Sequence, residues 1–253
     1  MKVLRVVLAL MLALSVLSVM SFASSANGRV DKALIVNGPH DLRATGAGGS
    51  GTGVNGPSYA LCNYCHVAHK FASEVGANGA TIPSTLLWNH TLSSSTAYTV
   101  YSRWTQKATD IDSLQPTGTN ADINNPSIMC MSCHDGTVAL NSTYTGAIGS
   151  VGTGMPSDRV INPADVNKTH PVNFTYDSTL ANAAGMRVPA GTNGVDNNTN
   201  PVVPLFGGKM QCATCHEPHT NSRLLFRTFA QVYTTTNGSW CLYCHSDSSG
   251  YKG

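Results

Sequence analysis

Four copies of the short motif Cys-x-x-Cys-His use all eight cysteines of the chain. They are Cys62-Asn63-Tyr64-Cys65-His66, Cys130-Met131-Ser132-Cys133-His134, Cys212-Ala213-Thr214-Cys215-His216 and Cys241-Leu242-Tyr243-Cys244-His245. Two cysteine sulfurs at this spacing can add to the two vinyl groups of a haem, and the next residue supplies an imidazole for the iron. The motifs therefore predict four covalently bound haem c groups.

Zinc and disulfide bonds are the alternatives, because paired cysteines also occur in zinc knuckles and in exported proteins. Neither alternative requires a histidine after every pair. The chain has nine histidines among 253 residues. A histidine after all four pairs would therefore arise by chance about once or twice in a million. The repeated histidine favours haem, and it leaves no cysteine as a thiol nucleophile.

Five histidines outside the motifs are candidates for the second axial position of the four irons. They are His40, His69, His90, His170 and His219. Five such residues beside four predicted haems favour bis-histidine ligation, which gives closed, low-spin centres of rather low potential. One of the five is then surplus.

Two of these histidines lie three residues after a motif histidine, which makes an internal repeat. The segments are His66-Val67-Ala68-His69 and His216-Glu217-Pro218-His219. A histidine at this place leaves from the same side of its own haem as the proximal ligand, so we expect it to bind a neighbouring iron. The second and fourth motifs have Thr137 and Ser248 there instead. The pattern predicts two haem pairs.

The other three candidates lie farther from the motifs. His90 and His170 lie in later loops and could reach back to distal positions. His40 precedes every motif and could bind a haem of its own chain, bind one of the next subunit, or bind none. A ligand donated in trans would make a head-to-tail contact, which closes into a ring or extends into a filament.

The chain begins with the pattern of a secretory signal peptide. Lys2 and Arg5 precede an apolar run of about 15 residues and then small residues, so we expect cleavage near residues 23–26. No cysteine follows as a lipid acceptor, and no later segment has about 18 uninterrupted apolar residues. We expect a secreted protein without a membrane span, at the cell surface or outside the cell; the alternative is the periplasm.

Composition predicts a loop-rich chain wrapped around its cofactors. Only 11% of residues are charged, against about 25% in an average protein. Without Lys2 and Arg5, 13 basic residues face 13 acidic residues and form no basic cluster. Nucleic acid is therefore not an expected partner. The expected fold class is mostly irregular, with short helices and few short strands, organised around four haems.

We expect three regions: a signal peptide (1–26), an N-terminal arm with a glycine-rich stretch (27–61) and one tetrahaem domain (62–253). The four motifs leave one haem for about 57 residues, too few for four separate domains. A short helical turn should carry each motif, and short strands are predicted at 33–36 and 172–176. Residues 46–56 should be flexible unless packed on a haem or a partner, and 191–200 should form a surface loop.

Large aromatic residues near the motifs are expected to pack against the haems rather than relay electrons. They are Tyr64, Trp88, Trp240 and Tyr243.

Several segments taken together indicate a protein family more specifically than any single haem motif does. The segments are Gly38-Pro39-His40-Asp41-Leu42, the first motif with His69, Leu87-Trp88-Asn89-His90, Cys133-His134-Asp135-Gly136-Thr137, His170-Pro171-Val172 and Cys215-His216-Glu217-Pro218-His219. The combination resembles the secreted tetrahaem cytochromes of the OmcE type, over nearly all of the chain after the signal peptide. The resemblance implies a homopolymer, an extracellular cytochrome nanowire in which haems form a continuous file. It also implies that one axial histidine crosses the subunit boundary, and His40 is the best match.

The expected function is electron transfer along stacked bis-histidine haems, with upstream and downstream redox proteins or an extracellular acceptor as partners. The repeating subunit of a conductive filament is the favoured form. One alternative is a monomeric periplasmic shuttle, which would share the haem ligands but have no donor in trans. A multihaem oxyanion reductase would instead need an iron with an open position and nearby acid–base groups.

Overall fold

The structure is a computed structural model and describes residues 35–69, 74–75, 81–82, 87–96, 98–99, 126–150, 152, 154–191, 194–195, 203–221 and 241–245. Within these residues, regular elements are short and most of the chain forms turns and loops. The α-helices are α1 (Ala47–Thr52), α2 (Ser127–His134), α3 (Ser178–Ala184) and α4 (Cys212–Cys215). The 3₁₀ helices are Ser157–Arg159, Pro163–Lys168 and Cys241–Tyr243. The predicted loop-rich fold is confirmed.

The strands in the described ranges are two residues long and form antiparallel pairs. They are β1 (Glu74–Val75), β2 (Thr81–Ile82), β3 (Phe174–Thr175), β4 (Gly194–Val195), β5 (Val203–Pro204) and β6 (Lys209–Met210). Strand β1 pairs with β2, β3 with β6, and β4 with β5. Phe174 lies opposite Met210 in the second sheet. Only one residue separates β6 from α4, so this sheet determines where the third motif begins.

Each motif lies on a short helical turn, as its spacing predicts. The second motif lies within α2, the third begins α4, and the fourth begins a 3₁₀ helix. In the first, third and fourth motifs the histidine N–H donates to the carbonyl of the first cysteine, at 2.8, 2.9 and 2.8 Å. This bond closes one helical turn. Both cysteines and the histidine are thereby held on one compact turn.

The strand predictions are half correct. Strand β3 lies inside the predicted strand 172–176. The strand predicted at 33–36 is wrong for its described part, because residues 35–36 lie in a turn. The N–H of Gly38 closes this turn by donating a hydrogen bond to the carbonyl of Ile35 at 2.8 Å. Asn37 has φ 61°, a left-handed conformation that reverses the chain. Residues 33–34 lie outside the described residues.

The glycine-rich stretch 46–56 is not a flexible linker in this structure. It forms α1, followed by the fully buried Val54. A Cβ at Gly46 or Gly49 would overlap the backbone of Asp41 or Arg43, respectively. The sequence expectation failed because these glycines permit close backbone packing, which composition alone does not distinguish from flexibility.

The loop predicted at 191–200 is also only partly correct. Residues 194–195 form strand β4, and Val195 is fully buried opposite Val203. Residues 192–193 and 196–200 lie outside the described residues.

Buried apolar side chains form three clusters beside the motifs. The first includes Tyr176, Val195, Val203, Met210, Tyr243 and Cys244. The second includes Leu92, Tyr98, Ile128, Met131 and Val166. The third includes Val54, Ala60, Tyr64 and Leu140, with Cys65 and Cys133 packed against it. The apolar core is therefore distributed among the haem-binding turns.

Three of the four aromatic residues near the motifs pack into these clusters. Tyr64 and Tyr243 are each 2% exposed, and Trp88 packs on the second cluster. Trp240 lies outside the described residues.

Across the described ranges, no helix combines the length and the apolar character needed to cross a membrane.

Gly49→Ala should lower the free energy of unfolding by about 1–3 kcal/mol, because the new methyl group overlaps the Arg43 carbonyl. Gly51→Ala in the same helix is the matched control, since nothing lies within 4 Å of the place that its added methyl group would take. That variant should gain about 0.5–1 kcal/mol from helix propensity. Urea unfolding of the haem-loaded variants measures both, and equal effects would contradict the close packing of α1.

Candidate haem sites

Three motif histidines each face one histidine from outside the motifs. The ring centres of His66 and His219 are 6.2 Å apart. His40 and His134 are also 6.2 Å apart, and His170 and His245 are 6.4 Å apart. The described part of the chain thus brings together three of the predicted proximal ligands with three of the predicted distal ligands.

These separations fit one iron between each pair of rings. A metal–imidazole nitrogen bond is about 2.0–2.1 Å, and the ring centre lies about 1.1 Å behind that nitrogen. Two ligands on opposite sides of one iron therefore have ring centres about 6.3 Å apart. The interplanar angles of 20°, 59° and 78° are compatible, because each ring can rotate about its metal bond. The residues present therefore fit bis-histidine haem.

The second ring nitrogen of several histidines is held by an oxygen acceptor. An imidazole whose Nδ1–H donates a hydrogen bond in this way keeps the lone pair of Nε2 available for iron. Four of the contacts are to backbone carbonyls and one is to a carboxylate. The pairs are His40 with Pro218 (3.1 Å), His90 with Thr91 (2.8 Å), His134 with Arg159 (3.0 Å), His170 with Pro171 (2.9 Å) and His219 with Glu217 Oε1 (3.0 Å).

Burial favours the neutral imidazoles that iron requires. Desolvation lowers the pKa of His40 to about 4, with the neighbouring His134 acting in the same direction. Desolvation is also the main cause that lowers the pKa of His66, His90 and His245. At pH 7 these four side chains are therefore ready to bind a metal without first losing a proton.

A buried carboxylate fixes the turn that carries His40. Asp41 is fully buried and accepts hydrogen bonds from the N–H of Asn37 at 2.9 Å and from the guanidinium of Arg43 at 2.7 Å. The hydrogen bond from Arg43 is the largest cause that lowers the pKa of Asp41. The turn therefore presents the His40 imidazole in one fixed direction. Sequence reasoning missed this role, because an aspartate beside a histidine is common in loops.

A second buried carboxylate follows His134. Asp135 is 3% exposed and accepts hydrogen bonds from the Ser93 hydroxyl, the Tyr98 hydroxyl at 2.7 Å and the Thr137 N–H at 2.9 Å. Sequence reasoning missed this network because its members are up to 44 residues apart. The network joins the end of α2 to the loop around Ser93.

An open depression of about 510 Å³ lies beside the segment that contacts His134. The N–H of Ile161 donates to the carbonyl of His134 at 2.7 Å, and Val160 and Ile161 both line the depression. Its lining residues in the described part of the chain lie between Met155 and Thr169, and none of them belongs to a motif.

The sulfur atoms of the first three motifs lie close to one another. A hydrogen bond to Cys212, and then burial, raise the pKa of Cys130. Burial raises the pKa of Cys133, and the nearby Cys65 adds to the shift. The second motif is therefore adjacent to both the first and the third.

His90, His69 and His216 are the remaining predicted ligands. His90 is 1% exposed, and within the described part of the chain its Nε2 is buried without a hydrogen-bond partner. His69 and His216 are exposed. His216 also contributes to the lowered pKa of His40, so it belongs to the same group of imidazoles. None of these three residues is a member of the three facing pairs.

Residues 204–250 match the family described as the doubled CXXCH motif. This match indicates a c-type cytochrome-like haem-binding protein. It covers the third and fourth motifs, and CXXCH motifs indicate covalently bound haem c and electron transfer. No curated protein matches the chain.

Asp135→Ala should lower the free energy of unfolding by about 1–3 kcal/mol, because the hydroxyl groups of Ser93 and Tyr98 lose their buried carboxylate acceptor. Asp165→Ala is the control, because it removes an exposed ion pair with Lys168 (2.7 Å) and should cost at most about 1 kcal/mol. Thermal or urea unfolding of the haem-loaded protein compares the two. A loss for Asp135→Ala no larger than for Asp165→Ala would show that the buried network is not stabilising.

Proposed function

We propose that the protein carries electrons along four c-type haems, each held by two histidines. The observation that carries this proposal is the set of three facing imidazole pairs, each joining a motif histidine to another histidine. When bound, haem iron supplies reversible one-electron chemistry. Filling both axial positions leaves none open for a substrate, which favours an electron carrier over a reductase.

The internal repeat supports His69 as the ligand of the fourth iron. His219 lies three residues after His216 and faces His66. By the equivalent relation His69, three residues after His66, would lie against His216. This reciprocal arrangement would join the first and third haems into one pair. By elimination, His90 is then the surplus histidine.

His40 is a ligand within its own chain in this proposal. It faces His134 of the same molecule, so the role in trans that the resemblance implies for His40 is not retained. The cis alternative accounts for the geometry without a second subunit. A contact between subunits must therefore use other residues.

The polypeptide provides binding, orientation and exclusion of water. The motif cysteines would hold the haems, and the facing imidazoles would orient them and keep oxygen and other small ligands away from the iron. Apolar clusters beside the motifs exclude water, which strengthens the effect of nearby charges on each site.

His40→Ala, His170→Ala and His219→Ala should each convert about one quarter of the iron from six-coordinate low-spin to high-spin, because each removes one of two facing imidazoles. Ferric electron paramagnetic resonance of the haem-loaded protein measures that fraction. His90→Ala is the control and should keep all the iron low-spin. A high-spin signal in His90→Ala, or its absence in all three ligand variants, would contradict the assignment.

We also propose that copies of the protein assemble head to tail into an extracellular filament. The resemblance to OmcE-type cytochromes supports assembly. Cys62 and Cys241 are exposed, so haems at the first and fourth motifs would have edges near the surface. Such edges could meet those of a neighbouring copy. A soluble shuttle would use the same edges to dock redox partners.

Electron microscopy of native protein sheared from the cell surface should show uniform filaments with the absorption spectrum of low-spin haem. Compact particles of monomer mass, found in the periplasmic fraction, would favour the shuttle.

Addition of cyanide or nitrite should leave the spectrum unchanged, because no axial position is open. A spectral change would instead favour the reductase.

A further inference from the structure

Glu217 distinguishes one of the candidate sites from the others. Its Oε1 accepts a hydrogen bond from Nδ1 of His219 at 3.0 Å and another from the main-chain N–H of His219 at 3.2 Å. The other four histidines with a described Nδ1 contact use neutral backbone carbonyls. A partly exposed glutamate carries a negative charge at neutral pH. His219 therefore has an anionic acceptor where these four have a neutral one.

A carboxylate behind a ligating imidazole changes the metal as well as the ring. Charge-assisted hydrogen bonds are roughly twice as strong as neutral ones, and they make the imidazole a stronger donor to the metal. A stronger donor and a nearby negative charge both favour ferric over ferrous iron. The Glu217 and His219 side chains are 31% and 35% exposed, so solvent weakens the contact without removing it.

The internal repeat contains a natural comparison. Val67 stands two residues before His69, as Glu217 stands two residues before His219. A valine side chain has no acceptor for the ring that follows. The residue two positions before the histidine therefore differs between the two halves of the repeat: it is a carboxylate in one half and an apolar side chain in the other.

We infer that Glu217 is a positioning residue that lowers the reduction potential of the iron bound by His66 and His219, relative to the iron bound by His216. The inference rests on the proposed ligation of the first iron by His66 and His219. This difference in reduction potential sets a direction for electron transfer between the paired sites. At equilibrium, an electron shared between them is found more often at the site of the third motif than at that of the first.

Redox titration of the haem-loaded full chain, followed by optical spectra, tests this inference. His219→Ala identifies the one-electron wave of the first site, because that wave is displaced when its ligand is lost. Glu217→Gln should move the same wave to more positive potential and leave the other three in place.

Glu217→Asp should largely restore the original position of that wave, and Asp158→Asn, which removes an exposed charge, should move no wave. Val67→Glu should move a different wave to more negative potential.

A Glu217→Gln protein in which the identified wave does not move would overturn the inference. So would a uniform displacement of all four waves, which indicates a general structural change. If the wild-type protein does not show four reversible one-electron waves, both the proposed function and this inference are wrong. Four wild-type waves with no response to Glu217→Gln overturn the inference alone.

Discussion

The proposed function depends on three pairs of imidazoles whose ring centres are held about 6 Å apart, a separation that leaves room for one metal ion between the rings. At three sites the rings come from residues distant in sequence: His66 with His219, His40 with His134, and His170 with His245. Each pair requires the chain to return to a motif from far away. Long-range crossings of this kind explain why the fold has little regular structure. Loops can approach a cofactor from any direction, whereas long helices and sheets restrict where side chains point.

Backbone carbonyls and buried carboxylates replace regular elements as the means of orientation. The carbonyls of Pro218, Arg159 and Pro171 each accept a hydrogen bond from a candidate ligand. Asp41 and Asp135 are both buried beside a candidate ligand, and each accepts several hydrogen bonds. A loop fixed in this way can hold an imidazole as firmly as a helix does. Close packing of glycines in α1 on the backbone of residues 39–43 adds to the rigidity around His40.

Local signals in the sequence predicted the local parts of the structure. The motif spacing correctly predicted helical turns, since a hydrogen bond between residues only four positions apart closes each turn. The equivalence of His69 and His219 correctly indicated that His219 lies beside a neighbouring motif. Pairings across long separations could not be predicted: nothing near His40 or His170 indicates which motif each one faces. The roles of Asp135 and Glu217 depend on the same long-range folding, although the difference between Glu217 and Val67 was visible in the repeat.

Iron should lie between the facing imidazoles. An experimental structure of the haem-loaded protein, with iron located by its anomalous scattering, tests this claim most directly. We predict iron midway between His66 and His219, His40 and His134, and His170 and His245, and a fourth iron at His216. Iron bound by His66, His134 or His245 without the facing histidine, or by His90 in its place, would contradict the claim.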